Sequence, residues 1–147
     1  MKGTSGVVPL DGLLIRGNQI IALEIKSPRE ITPKADYSGS ALKNDYIKEH
    51  RGRIRKDINK GRISQKVGDI QVHVAQAEER TKHLIEGKWY PRELNHPLDL
   101  RGKEVLTGLA VPLDFAQDTL QALKQLGISN PKTIQGQHSS TIIWKKR

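Results

Sequence analysis

The chain has 147 residues, a length that favours one domain around a single hydrophobic core. It has no cysteine, which excludes disulfides, thiolate metal sites and cysteine-based catalysis. Its net charge of +9 favours attraction to polyanions such as nucleic acid. No apolar run approaches the ~18 residues of a membrane helix, and residues 1–12 lack the apolar region of a signal peptide. We therefore expect no membrane partner. If the protein acts outside the cell that makes it, something other than a signal peptide in this chain must export it.

The first predicted element is a β-hairpin. Residues 7–15 and 19–27 are rich in aliphatic side chains, and the turn sequence Arg16-Gly17-Asn18 separates them. Residues 28–40 contain two prolines and a glycine and predict a loop.

Two helical regions follow. Residues 41–66 predict two short helices, because Gly52 and Gly61 each cost about 1 kcal/mol relative to alanine in a helix. Residues 69–86 predict a longer helix, since apolar side chains recur every three to four positions and Gly87 can end it.

The C-terminal half alternates strand and helix. Residues 89–102 predict an irregular connection, and residues 104–113 a short central strand. Asp114 is expected to cap a helix that Gly127 terminates, and residues 132–144 predict a last strand or hairpin. The order predicts a single α/β or α+β domain over residues 1–147, with a mixed sheet flanked by helices.

Positive charge is concentrated between residues 41 and 66. Nine basic and three acidic residues there give +6 of the net +9. Two interpretations stay open, a solvated helix face and a phosphate-binding surface. The basic residues are Lys43, Lys48, Arg51, Arg53, Arg55, Lys56, Lys60, Arg62 and Lys66.

The hairpin carries charged residues in an otherwise apolar setting. Strand alternation puts Glu24 and Lys26 on one face, and pairing about the Gly17-Asn18 turn puts Asp11 opposite Glu24. Adjacent carboxylates repel unless a cation joins them, and Mg²⁺ prefers such oxygen ligands. We therefore expect a divalent metal, Mg²⁺ first and Mn²⁺ or Zn²⁺ next, with Lys26 orienting the attacking water or stabilising transition-state charge.

Asp11 followed by Glu24-Ile25-Lys26 after a hairpin resembles the PD-(D/E)xK nuclease superfamily. The resemblance implies a restriction-endonuclease-like fold and phosphodiester hydrolysis of DNA or tRNA. It also implies that Asp11 and Glu24 are metal ligands and that Lys26 is catalytic. Family members usually carry another acidic residue on a preceding helix. Ten residues precede Asp11 here, so the resemblance implies one metal and leaves a second open.

The small, basic, cysteine-free chain also resembles the C-terminal nuclease modules of bacterial polymorphic and contact-dependent growth inhibition toxins. That resemblance implies a module of a larger protein that acts in the cytoplasm of a target bacterium. It further implies an acidic immunity protein, which we expect to cover the basic surface.

Two other functions stay open. His138, near the hydroxyls of residues 139–141, could serve as general acid or base in a metal-independent, barnase-like ribonuclease. Alternatively, the chain is a non-catalytic basic nucleic-acid-binding module. Its aromatic content of 4% would make phosphate contacts dominate over base stacking in such a module.

Overall fold

The computed structural model describes residues 12–27, 45–88 and 96–145, with residues 45–51 described as backbone. Within these ranges, three helices and a mixed five-stranded sheet give an α+β fold, which confirms the predicted sheet with helices. The elements are β1 (Gly12–Arg16), β2 (Gln19–Ile25), α1 (Asp45–Asn59), α2 (Gln65–Ile85), β3 (Glu104–Pro112), a 3₁₀ turn (Leu113–Phe115), α3 (Ala116–Gln125), β4 (Lys132–Gln135) and β5 (Ser139–Trp144).

The N-terminal hairpin forms with the predicted register. Gly12 lies opposite Leu23 in the antiparallel pairing of β1 with β2, and Gly17 adopts a φ of 59° at the turn. Glycine reaches this left-handed region without the steric cost of a Cβ. Asp11, the expected neighbour of Glu24, lies outside the described residues.

The strands are arranged in the order β1-β2-β3-β5-β4. β2 and β3 are parallel, and the described helices α1 and α2 lie between them in the chain, whereas β5 is antiparallel to both β3 and β4. β2 and β3 therefore end at the same edge of the sheet, close to the start of β5. Gly108 in β3 permits close packing, because a Cβ there would lie 2.8 Å from Cγ2 of Ile21.

The main core lies between α2 and one face of the sheet. Ser64 begins α2 as an N-cap, since its hydroxyl accepts a hydrogen bond from the Val67 N–H at 3.1 Å. The core is built from aliphatic side chains of α2, α3, β3 and β5, from one aliphatic side chain of the segment after α3, and from one indole: Val67, Ile70, Val74, Ala77, Leu109, Val111, Ala122, Leu123, Ile128, Ile142 and Trp144.

The prediction of two short helices before α2 is wrong in one respect. α1 continues unbroken through Gly52, and the break comes only near Gly61, at a φ of 74°. Packing explains the continuity. Ile54 and Ile58 approach Gly68 of α2 so closely that a Cβ there would lie within 3.0 Å of both side chains. This burial offsets the ~1 kcal/mol that a helical glycine costs.

Asp114 does not cap α3, contrary to the prediction. The chain enters this helix through the 3₁₀ turn, so Asp114 is already inside a helical turn and Phe115 occupies the cap position without a side-chain hydrogen bond. Gly127 ends the helix as predicted, with a φ of 81°. The expected loop at 28–40 and the first half of the connection, residues 89–95, lie outside the described residues, whereas residues 96–102 form the irregular connection that was predicted. Among the helices of the described ranges, none is both long and apolar enough to cross a membrane.

Candidate functional site

Glu24 is a charged residue in the interior of the fold. It precedes the last residue of β2 and is 2% exposed, on the face that packs against α2. Ile20 and Ala22 occupy the same face and contact Leu84 of α2. A carboxylate in such surroundings loses several kcal/mol of hydration unless cations and hydrogen bonds replace the water.

Two cationic side chains replace the lost hydration of Glu24. Arg80 of α2 donates from Nη1 to Oε1 of Glu24, and Nζ of Lys26 lies 3.3 Å from Oε2. Lys26 is fixed because its backbone N–H donates to the Ala110 carbonyl at 2.9 Å, which extends the β2–β3 pairing. We refer to Glu24, Lys26 and Arg80 as the Glu24 cluster.

The structure thus brings together two of the three predicted catalytic residues. Glu24 and Lys26 share a face and are in contact, while Asp11 lies outside the described residues. Sequence reasoning missed Arg80. A signal was present, because Arg80 follows Ala77 by three positions and precedes Leu84 by four, which puts a charge on the apolar stripe of α2.

A network of buried polar contacts fixes α2, and hence Arg80, against the sheet. The hydroxyls of Thr81 and Thr107 lie 2.7 Å apart, and Nε1 of Trp144 donates to Oε2 of Glu78 at 3.0 Å. Each contact joins α2 to a different strand, β3 or β5. Satisfied buried networks of this kind specify one helix position.

The described part of the chain supplies one ligand for the predicted metal. It contains no group of three or more His, Asp or Glu side chains arranged to hold an ion. Mg²⁺ in proteins often takes one or two carboxylates together with water and substrate phosphate, so Glu24 fits as one such ligand. Both Glu24 oxygens already contact cations, and a metal would have to share or displace those contacts.

The basic side chains of α1 and the turn after it form an exposed surface. Ile54 and Ile58 face α2, and the cations point outward. The exposed cations are Arg53, Arg55, Lys56, Lys60 and Arg62, which we call the α1 basic surface. Lys43 and the side chains of Lys48 and Arg51 lie outside the described part of the chain. Lys66, beyond this surface, pairs with Asp118 at 2.9 Å.

A cavity of about 360 Å³ adjoins the α1 basic surface. Arg53 and Arg62 line it together with side chains of α2 and α3, but no member of the Glu24 cluster does. Arg62 is held loosely, at 3.5 Å from Asp57, and its side chain is 65% exposed. The cavity therefore adds room for a polyanion beside the cations, at a distance from the predicted chemistry.

Residues 132–144 form the hairpin that was one of the two predicted possibilities, and His138 lies in its turn, between β4 and β5. The side chain is exposed. Because Ser139 pairs with Pro112, this turn is at the same edge of the sheet as Lys26. Two to three strand spacings of ~4.8 Å separate β2 from the β4–β5 hairpin, so His138 is roughly 10–14 Å to the side.

Asp99 and Arg101 form an ion pair at the surface, with 2.9 Å between Oδ2 and Nη2. The pKa of the Asp99 carboxyl is lowered because Arg101 donates side-chain and backbone hydrogen bonds to it. Arg101 is a surface residue, 90% exposed. It offers an arginine–carboxylate pair in water against which the buried pair of Arg80 can be compared.

Comparison of the chain with protein-family models, curated proteins and solved structures finds no match. Nuclease activity, the restriction-endonuclease-like fold and the toxin module therefore depend on the residue pattern and the geometry alone.

Proposed function

We propose that this chain is a metal-dependent endonuclease that hydrolyses phosphodiester bonds of DNA or tRNA. One observation carries the proposal. Glu24 and Lys26, the acidic and lysine positions of the E-x-K pattern, are in contact near the end of a central strand. A carboxylate buried beside a lysine, in a chain with an exposed basic surface, suits phosphoryl chemistry.

Each residue has a distinct role in this proposal. Glu24 and Asp11 would hold a divalent ion, which supplies Lewis-acid stabilisation of the phosphoryl oxygens when bound. Lys26 holds a positive charge beside the reacting phosphate, where negative charge grows in the transition state. Its aliphatic stem is fixed by burial, since the side chain is only 11% exposed, so little reorganisation is needed.

The α1 basic surface would hold the substrate backbone. Its side chains are exposed and positively charged, so in this proposal they contact phosphates. The same surface supports a second candidate, a binding module without chemistry. We further propose delivery to the cytoplasm of a target bacterium as a toxin module, with an acidic immunity protein that covers this surface.

The test uses plasmid DNA and total tRNA, each incubated with the protein in Mg²⁺ and in EDTA. We expect cleavage of at least one substrate in Mg²⁺, loss in EDTA, and return on adding Mg²⁺ or Mn²⁺. Lys26→Met should slow cleavage about 100-fold or more, the usual effect of removing one charge-stabilising group. Lys103→Met, the same change at an exposed lysine, serves as the control.

The alternatives give different results in the same experiment. A ribonuclease that depends on His138 would cleave tRNA in EDTA and lose activity in His138→Ala. A binding module would retain both nucleic acids without cleaving either under any metal. Either result contradicts the proposed function.

A further inference from the structure

The Glu24 cluster carries more positive than negative charge. In the described part of the chain, the Glu24 carboxylate is paired with two cations, which leaves a net charge of +1 in the cluster. The side chains of Lys26 and Arg80 are 11% and 17% exposed, whereas that of Glu24 is 2% exposed. The accessible surface of the cluster therefore belongs mostly to the side chains of Lys26 and Arg80, and a ligand from solvent meets these two side chains before Glu24.

Among the described residues, Arg80 contacts Glu24 and keeps further N–H donors that this contact does not use. A guanidinium has five N–H donors in a planar fork, and the contact with Glu24 engages Nη1. Lys26 likewise has three ammonium protons and, within the described part of the chain, one carboxylate contact. A group with several acceptor oxygens and a negative charge matches these donors, and a phosphate diester is such a group.

We propose that Arg80 is a phosphate-binding residue of the Glu24 cluster. Together with Lys26 it binds a non-bridging oxygen of the nucleic acid, and Glu24 holds both cations in position. The identity of the ligand as nucleic acid rests on the proposed function, whereas the anion preference rests on the charges and exposures of the cluster.

Arg80 then has a second effect, of opposite sign, on divalent cations. Its positive charge is in contact with the Glu24 oxygen that a metal would use, so it weakens metal binding by repulsion and by competition. Replacing Arg80 with a neutral side chain should weaken nucleic-acid binding and tighten metal binding. An arginine that merely stabilised the fold would not move the two affinities in opposite directions.

The experiment compares Arg80→Gln with Arg101→Gln, the same substitution at an exposed ion pair. A fluorescein-labelled DNA oligonucleotide is titrated in EDTA and followed by anisotropy at several salt concentrations. Mn²⁺ alone is titrated separately and followed by electron paramagnetic resonance. For Arg80→Gln we expect about tenfold weaker oligonucleotide binding, a salt slope reduced by about one, and about tenfold tighter Mn²⁺ binding. Arg101→Gln should match the parent in both titrations.

Arg80→Lys is the second variant, in case Arg80→Gln does not fold. Lysine retains the positive charge but not the planar guanidinium with its several N–H donors. Oligonucleotide binding should therefore fall by less than in Arg80→Gln, and Mn²⁺ affinity should stay close to that of the parent. The proposal is overturned if the parent does not bind the oligonucleotide, or if the Arg80 variants match Arg101→Gln. Loss of oligonucleotide binding with unchanged Mn²⁺ binding in Arg80→Gln also overturns it. The proposed function fails separately, if a parent that binds nucleic acid does not cleave it in Mg²⁺.

Discussion

Replacing Glu24 with glutamine tests the ion pairs of the Glu24 cluster through stability alone. The substitution changes the volume little but leaves Lys26 and Arg80 without their anion, at side-chain exposures of 11% and 17%. Removing one partner from a buried ion pair commonly costs about 3–5 kcal/mol, because the other charge remains buried. Both cations retain some access to water and the amide oxygen can still accept a hydrogen bond, so we expect the lower end, about 3 kcal/mol.

The expected loss of unfolding free energy corresponds to a lower melting temperature, by an amount that depends on chain length. For a domain near 150 residues, 1 kcal/mol shifts the melting temperature by about 3 °C, so Glu24→Gln should melt roughly 9 °C below the parent. Guanidinium denaturation gives the free energy of unfolding directly, and an unchanged m-value would show that the same surface unfolds. Activity of this variant therefore has to be measured well below its melting temperature.

Glu104→Gln is the control, because Glu104 is exposed and its side chain accepts one hydrogen bond, from Gln19 at 3.0 Å. We expect it to lie within about 0.5 kcal/mol of the parent. Equal stability of the two variants would refute the reasoning, since it would mean that Glu24 is not paired with buried cations in solution.

Two further predictions concern the α1 basic surface and the sheet. Reversing three charges of that surface should weaken DNA binding more than tenfold and flatten its salt dependence in anisotropy titrations, while three reversals elsewhere on the surface should do much less. The test residues are Arg53, Arg55 and Lys56, and the controls are Lys103, Lys124 and Lys132. Equal effects would mean that net charge alone drives binding. Gly108→Ala should destabilise the fold by about 1–3 kcal/mol in guanidinium, because its Cβ would lie 2.8 Å from fully buried Ile21, and an unchanged midpoint would contradict the packing.

Local sequence signals predicted the hairpin well. A two-residue turn sets the pairing of its strands, so the turn at Gly17-Asn18 was enough to place Gly12 opposite Leu23. Apolar periodicity also located α2 and β3 to within a few residues, because both are largely buried on a regular face. These features depend on residues that are close in the sequence, or on the regular spacing of apolar side chains along a helix or strand.

Features that depend on tertiary contacts were not predictable in the same way. Gly52 sits inside α1 because Ile54 packs on Gly68, and helix propensity contains no information about that contact. The pairing of Arg80 with Glu24 joins residues 56 positions apart. The sequence signal for it was the position of Arg80 on the apolar stripe of α2. The motif Glu24-Ile25-Lys26 predicted two members of the cluster, whereas the third required the fold.

Replacing the whole Glu24 cluster with apolar side chains separates a structural role from a catalytic one. Buried ion pairs are often no more stabilising than hydrophobic groups of similar size, and such replacements are commonly neutral or stabilising by about 1–4 kcal/mol. The triple variant Glu24→Leu, Lys26→Met, Arg80→Met should therefore unfold at or above the parent's denaturant midpoint and yet cleave no nucleic acid. Circular dichroism and guanidinium titration give the first result, and the plasmid and tRNA assays give the second. A triple variant less stable than Glu24→Gln would assign the charges to folding, and one that cleaves like the parent would place the chemistry elsewhere. If the triple variant is as stable as the parent but inactive, phosphate chemistry remains as the reason for the charges of the Glu24 cluster.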